Sequence, residues 1–212
     1  MRKRKIMEQF LIEAKQSSNI IATLTTKEKN QVLNDMADAL LKNVALIEEE
    51  NKKDITAGHE NNLSSALMDR LLLNEARIKD MANAIKEIAM LKEPVGRILE
   101  GCSTESGLNI QKITVPIGII GIIYESRPNV TSDTAALCLK SGNVCILKGG
   151  KEAIHSNTII AKVLQTALEK NNLPKHIISL LPDSSREGVA NLIKQDKYVD
   201  LIIPRGGSAL IN

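Results

Sequence analysis

Three short polar segments each follow an apolar run, and their residue types suit the holding of an anion or an acyl group. The first is Tyr124-Glu125-Ser126-Arg127-Pro128-Asn129, after the apolar run 117–123. Arg127 can match a phosphate or a carboxylate in bidentate fashion, with Ser126 beside it, so this pair reads as a candidate substrate-binding element. The second is Lys148-Gly149-Gly150, after residues 144–147, and the third is Pro204-Arg205-Gly206-Gly207-Ser208, after residues 199–203. In the third, Gly206 and Gly207 let backbone approach a pyrophosphate, while the Ser208 hydroxyl and the amides of a following helix can donate to it. As bare patterns all three are modest. A Gly-Gly after a strand is more often a plain turn, Lys148 alone is an ordinary strand-end lysine, and Asn129 reads as a turn asparagine bonding its own backbone. The GxGxxG dinucleotide fingerprint is absent, and Gly118-x-x-Gly121 falls within a strand.

The elements that must position these segments alternate between strand and helix. Residues 117–123 form an apolar run broken by Gly118 and Gly121, which suits a buried strand that other backbone approaches closely. Pro128 rules out helix at Arg127, and Thr131 or Ser132 is expected to cap the next helix, which Gly142 stops. A second strand at 144–147 leads to a helix at 152–168, a third strand at 177–181 and a helix opened by a Ser184/Glu187 capping box. The fourth strand is 199–203. This order predicts an α/β fold, a Rossmann-like doubly wound parallel sheet with right-handed crossovers over 116–212. Open sheets of this kind bind ligands past the carboxyl ends of their strands, so Asn129 and Lys148 are expected to point into one crevice.

Before the sheet, residues 6–100 read as a helical region. Thr25 and Glu28 form a capping box opening an amphipathic stretch through Val32, Met36, Leu40, Val44 and Ile47. Glu48-Glu49-Glu50 and Lys52-Lys53 read as its solvated end. Asn74 is expected to cap a further helix whose apolar face is Ile78, Met81, Ile85 and Ile88. Residues 101–107 read as a loop, and 109–115 as a half-exposed strand.

Composition excludes several classes of function. A chain of 212 residues suits one large domain with a good core. Aromatic residues make up 1% of the chain, so stacking on nucleic-acid bases has little support, and a net charge of +3 is too small to imply a polyanion partner. Cys102, Cys138 and Cys145 lack CxxC spacing and read as reduced thiols of a cytosolic protein, with Cys138 and Cys145 as buried packing residues. Neither they nor His59, His155 and His176 show metal-ligand spacing or a partner pattern, so no metal site is expected. No apolar run approaches the roughly 20 residues of a membrane span. The chain is expected to be cytoplasmic, with neither a nucleic acid nor a membrane as partner.

The segments YESRPNVT, LCLKSGN and LKGG, with KEAIHSN and VDLIIPRGG after them, resemble the gamma-glutamyl phosphate reductase family within the aldehyde dehydrogenase superfamily. The resemblance spans essentially the whole chain but only the first part of the family's enzyme. It implies an aldehyde dehydrogenase-like fold, incomplete here. Residues 1–212 would form an NADP-binding domain: helices over 1–100, a strand at 108–115 joining an oligomerisation sheet, and βαβ units over 116–212. The catalytic domain would be absent. The implied reaction is the NADPH-dependent reduction of L-glutamyl 5-phosphate to L-glutamate 5-semialdehyde and phosphate, in proline biosynthesis. On this resemblance Asn129 is the oxyanion-hole donor, and Lys148, Gly206, Gly207 and Ser208 contact the cofactor. Arg127 and Ser126 then meet the acyl phosphate or the α-carboxylate. Many superfamily members carry a glutamate where this chain has Lys151, with Glu152 next, which favours NADPH over NADH. The family's nucleophilic cysteine lies beyond the PRGG segment. The chain alone is therefore expected to turn over little or no substrate, and a homo-oligomer is expected at full length. The alternative is a catalytically inactive dinucleotide-binding fragment.

Overall fold

A computed structural model describes residues 2–183 and 185–207. Five helices come first: α1 (Arg2–Ile21), α2 (Thr26–Lys42), α3 (Val44–Glu60), α4 (Ser65–Leu71) and α5 (Glu75–Met90). A two-stranded ribbon follows, β1 (Ile98–Ser103) and β2 (Asn109–Ile113). The remainder alternates as β3 (Ile119–Tyr124), α6 (Asn129–Lys140), β4 (Val144–Lys148), α7 (Ile154–Lys170), β5 (Ile178–Leu180), α8 (Arg186–Ile193) and β6 (Leu201–Arg205).

The capping box at α2 forms as expected. The Thr25 hydroxyl accepts from the Glu28 amide at 3.3 Å, and the Glu28 carboxylate accepts from the Thr25 amide at 2.7 Å. Asn74 caps α5, accepting from the Arg77 amide at 2.9 Å. Val32, Leu33, Met36 and Leu40 of α2 are buried with Ile78, Met81 and Ile85 of α5 in one core that continues into the sheet. The apolar stretch through Ile47 is not one helix, however. It breaks at Asn43, and Glu48–Lys53 lie in the middle of α3, not at a solvated end. The opposite side of α3 buries Asn51 and Asp54, which are 1% and 2% exposed.

Residues 98–103 form a strand where a loop was expected from 101 onward. β1 pairs antiparallel with β2, Cys102 opposite Ile110. Every residue of both strands is exposed, β2 included, so the ribbon lacks the alternating burial that makes a strand legible.

The main sheet has the order β5-β4-β3-β6, with every pair parallel. β3 is buried throughout, and β4 up to Lys148. Gly118 enters β3 at φ +126°, a conformation that disfavours side chains, and a Cβ there would strike the Asp200 carboxylate. That carboxylate accepts from the Ile119 amide at 2.8 Å and so ties β3 to the approach of β6. Gly121 and Tyr124 point to opposite faces of β3. A Cβ on Gly121 would lie near Leu192 of α8, whereas the Tyr124 hydroxyl sits 2.7 Å from Thr131 of α6. α6 and α8 therefore cover opposite faces, and the sheet is doubly wound as its sequence pattern predicts.

Three helix starts differ from the sequence reading. Pro128 occupies the N-cap of α6 with no side-chain cap, because Thr131 and Ser132 are already inside the first turn. Thr131 donates to the Asn157 side chain at 2.9 Å, and Ser132 to the Asn129 carbonyl at 2.8 Å. A 3-10 turn, Lys151–Ala153, precedes α7 and delays it to Ile154. Ser185 caps α8, accepting from the Gly188 amide at 3.1 Å; Ser184 lies outside the described residues.

A buried polar cluster keys the helices to the sheet. The Asp54 carboxylate accepts from the Ser156 amide at 2.7 Å, the Ser156 hydroxyl at 2.6 Å and the His155 amide at 3.1 Å. It thus caps the first turn of α7, where the helix dipole favours an anion. Asn51 donates to the Leu71 carbonyl and to Ser156 Oγ, and accepts from the Leu73 amide at 2.8 Å. Lys140 of α6 donates to the Ala89 carbonyl at 2.9 Å and to Asn30 Oδ1 at 2.6 Å.

Candidate functional site at the carboxyl edge of the sheet

Strand register decides which polar groups meet. Ile123 of β3 pairs with Lys148 of β4, and Tyr124 pairs with Arg205 of β6, so the three strands end level. The chain steps from β3 to β4 to β5 in one direction, then returns to place β6 on the other side of β3. The crevice outside such a reversal is where open α/β sheets take ligands. Here a cleft of about 340 Å³ opens between the loop after β3 and the turn after β6. Glu125, Ser126 and Arg127 line it on one side, Arg205 and Gly206 on the other, and Arg70 of α4 approaches from the helical region. A second cleft of about 520 Å³ shares Arg70 and Arg127 and reaches Arg77, Asn129 and Asp133.

Asn129 opens α6 and is half-buried. Its Nδ2 donates to Asp133 Oδ2 one turn on, at 3.0 Å, rather than to its own backbone. An amide nitrogen carries two hydrogens, so one is left for another acceptor. Burial holds the Asp133 carboxyl above its usual range, and the Asn129 bond and the Arg205 charge pull against that rise. Ser126 donates to Glu152 Oε2 at 3.1 Å, a contact a side chain at Gly150 would crowd. Gly206 lines the first cleft, the Gly207 amide donates to Glu125 Oε1 at 2.9 Å, and Ser208 lies outside the described residues.

Lys148 lies half-buried at the end of β4 and is not among the residues that line these two clefts. The loop after β3 carries Asn129 five residues past the strand end onto α6, while Lys148 belongs to its strand.

The thiols stand apart from this edge. Cys102 is exposed on β1, and Cys138 and Cys145 are buried. A hydrogen bond with Cys138 and complete burial push the Cys145 thiol well above its usual range, the opposite of what an attacking thiolate requires. Two histidines have partners that sequence did not reveal: His176 Nε2 lies 3.0 Å from Glu13, and His155 Nδ1 lies 3.7 Å from Glu50. Among the described residues no three His, Cys, Asp or Glu side chains gather to hold a metal ion, and no helix is long and apolar enough to cross a membrane.

Sequence reasoning missed Arg70, Arg205 and Asp133. Arg205 was within reach, because it precedes the Gly-Gly turn at the end of an apolar run. Arg70 carried no local signal, since its nearness to Arg127 exists only in the fold.

The model of the aldehyde dehydrogenase family matches residues 2–210. Among curated relatives, the gamma-glutamyl phosphate reductase of Aliarcobacter butzleri is 66% identical over 205 residues, 97% of this chain and 50% of that protein. The reductase of Sulfurimonas denitrificans is also 66% identical over the same shares. Among solved structures, gamma-glutamyl phosphate reductase from Thermotoga maritima superposes with a TM-score of 0.94 at 37% identity, over 97% of this chain and 50% of that one. A probable aldehyde dehydrogenase from Listeria monocytogenes, at 16% identity, shares the fold with a TM-score of 0.76 over 99% of this chain and 43% of that one. The chain spans about half the length of the curated relatives it matches.

Proposed function

Because this chain belongs to the aldehyde dehydrogenase family, we propose that it is the dinucleotide-binding half of an NADPH-dependent reductase of L-glutamyl 5-phosphate. The balanced reaction takes the acyl phosphate, NADPH and one proton to L-glutamate 5-semialdehyde, NADP and phosphate. The 66% identity to proteins named gamma-glutamyl phosphate reductase, held over 97% of the chain, carries this reading. The switch-point cleft supports it by placing an amide donor and arginines at one strand edge.

Each residue at this edge has a task in such a reaction. The free hydrogen on Asn129 Nδ2 would donate to the oxygen on which charge develops, with Asp133 holding the amide in orientation beforehand. Arg127 would bind the acyl phosphate or the α-carboxylate in bidentate fashion, beside Ser126. Lys148, Gly206, Gly207 and Ser208 would hold the dinucleotide, which supplies the hydride when bound. The turn fits that group, because the Gly207 amide already donates to an anion, the carboxylate of Glu125. The Glu152 carboxylate is turned onto Ser126, and Lys151 is exposed, an arrangement that accommodates a 2′-phosphate. The exposed ribbon β1–β2, with Ile98, Leu99, Ile110 and Ile113 on its surface, is assigned to a homo-oligomer contact. The setting is the cytoplasm, as part of proline biosynthesis.

None of the three cysteines lines either cleft. A longer protein that supplies one would turn over; the chain by itself would bind dinucleotide with little or no turnover. Fluorescence titration of the chain with NADPH and with NADH tests the reading. NADPH should bind at least about tenfold tighter, and Lys148→Ala should weaken it by a similar factor. Equal or tighter NADH binding refutes the cofactor choice, and no dinucleotide binding refutes the reading.

A further inference from the structure

Arginines near the cleft divide into two kinds. Arg77 is engaged: its guanidinium donates to Asp69 Oδ1 at 2.7 Å and to the Leu72 carbonyl at 2.9 Å. Arg70 and Arg127 line both clefts, and Arg205 lines the first. Among the described residues, none of these three guanidiniums makes a hydrogen bond or an ion pair. Acids line the same clefts without bonding to these three: Asp69 pairs with Arg77, Glu125 accepts from the Gly207 amide, and Asp133 accepts from Asn129 while feeling the Arg205 charge. One unpaired arginine on open surface is ordinary. Three lining one concave opening, brought from α4, from the loop after β3 and from the end of β6, concentrate positive potential in a cleft.

We propose that Arg70, Arg127 and Arg205 form one phosphate-binding site. Each planar fork offers paired N–H donors to two oxygens, and three forks from different directions suit a tetrahedral, multiply charged anion better than a planar carboxylate. This proposal deepens the reductase reading and rests on it for the identity of the phosphate. The phosphate is either the acyl phosphate, released as orthophosphate, or a phosphate of the dinucleotide. Arg70 is the new element: it gives the helical region a direct part in ligand binding.

The test is calorimetric titration of the 212-residue chain with inorganic phosphate, against chloride at matched ionic strength, and separately with NADPH. Saturable phosphate binding is expected, weakened about tenfold or more by Arg70→Ala and by Arg205→Ala, with Arg70→Lys intermediate because it keeps charge but loses the fork. Persisting phosphate binding in the NADPH-saturated chain assigns the site to the acyl phosphate. Displacement by NADPH, with Arg70→Ala weakening NADPH equally, assigns it to the dinucleotide; either result supports a phosphate site. Absence of saturable phosphate binding, or affinity within about twofold of the parent in both alanine variants, overturns it. Loss of NADPH binding alone would count against the reductase reading and leave the phosphate site standing. Arg70 is exposed, so thermal melts of its variants should match the parent. If they do not, Arg127→Ala, in a loop outside the core, carries the same comparison.

Discussion

The cluster around Asp54 and the cleft around Arg127 are built from similar side chains and differ in how completely those are paired. Beneath the first turn of α7, Asp54 accepts three hydrogen bonds, and Asn51 donates two and accepts one. Both residues are almost wholly buried. Burial imposes that completeness, because a desolvated polar atom without a partner costs far more than a paired one gains. At the strand edge water solvates the charges, so guanidiniums can stand unpaired without a comparable penalty. Pairing, rather than charge or residue type, separates the polar groups that hold this fold from those free to meet a ligand.

The strongest challenge to this contrast is Asp54→Ala. It strands two amides and a hydroxyl in a dry site and should cost about 3 kcal/mol or more in urea unfolding; a loss under about 1 kcal/mol would mean the cluster is not structural. A middle-sized test uses pH. Burial raises the Asp35 carboxyl, but bonds from Lys170, Asn171 and Gln31 outweigh that, and its net position is below 3.8. Its stabilisation is therefore present above pH 3.8 and lost as pH falls through the folded value. Asp35→Asn should cost about 1 kcal/mol at pH 7 and converge on the parent in acid. Asp133 has the opposite sign: raised by burial, its contribution is present below pH 3.8 and lost as pH rises through the folded value. Asp133→Asn should thus be at least as stable as the parent at pH 7 and lose any advantage below pH 3.8. Parallel pH profiles for the two variants would mean that pairing does not decide the sign of a carboxylate's contribution. The smallest effect belongs to Arg127→Ala, which should shift unfolding by less than about 0.5 kcal/mol, because the side chain is exposed and bonds to none of the described residues.

Much of the architecture was legible because burial leaves a trace in residue order. The runs that became β3 and β4, the Thr25/Glu28 box and the Asn74 cap are local patterns with local causes. What escaped was decided by distant partners. β1 carries no alternation, since nothing covers either of its faces among the described residues. Asn51 and Asp54 sit among the charged residues of α3 with no local sign of burial, because their partners lie at Leu71, Leu73 and Ser156. The site divides the same way. Ser126, Arg127 and Asn129 announced themselves as a polar elbow after a strand, whereas Arg70 joins them only through the packing of α4.

The Asp54 cluster also sets a timetable. Asp54 and Ser156 are 102 residues apart, and Lys140 reaches back 110 residues to Asn30. During synthesis at about 5–20 residues per second, α3 is therefore complete roughly 5–20 s before the turn that satisfies its buried carboxylate emerges. Between the completion of α5 and the emergence of β3, the apolar faces of α2 and α5 can pair with each other but not with the sheet. The helical region is made first and finished last, so a nascent chain stalled before α7 should be the form in which this protein is most open to chaperones and proteases.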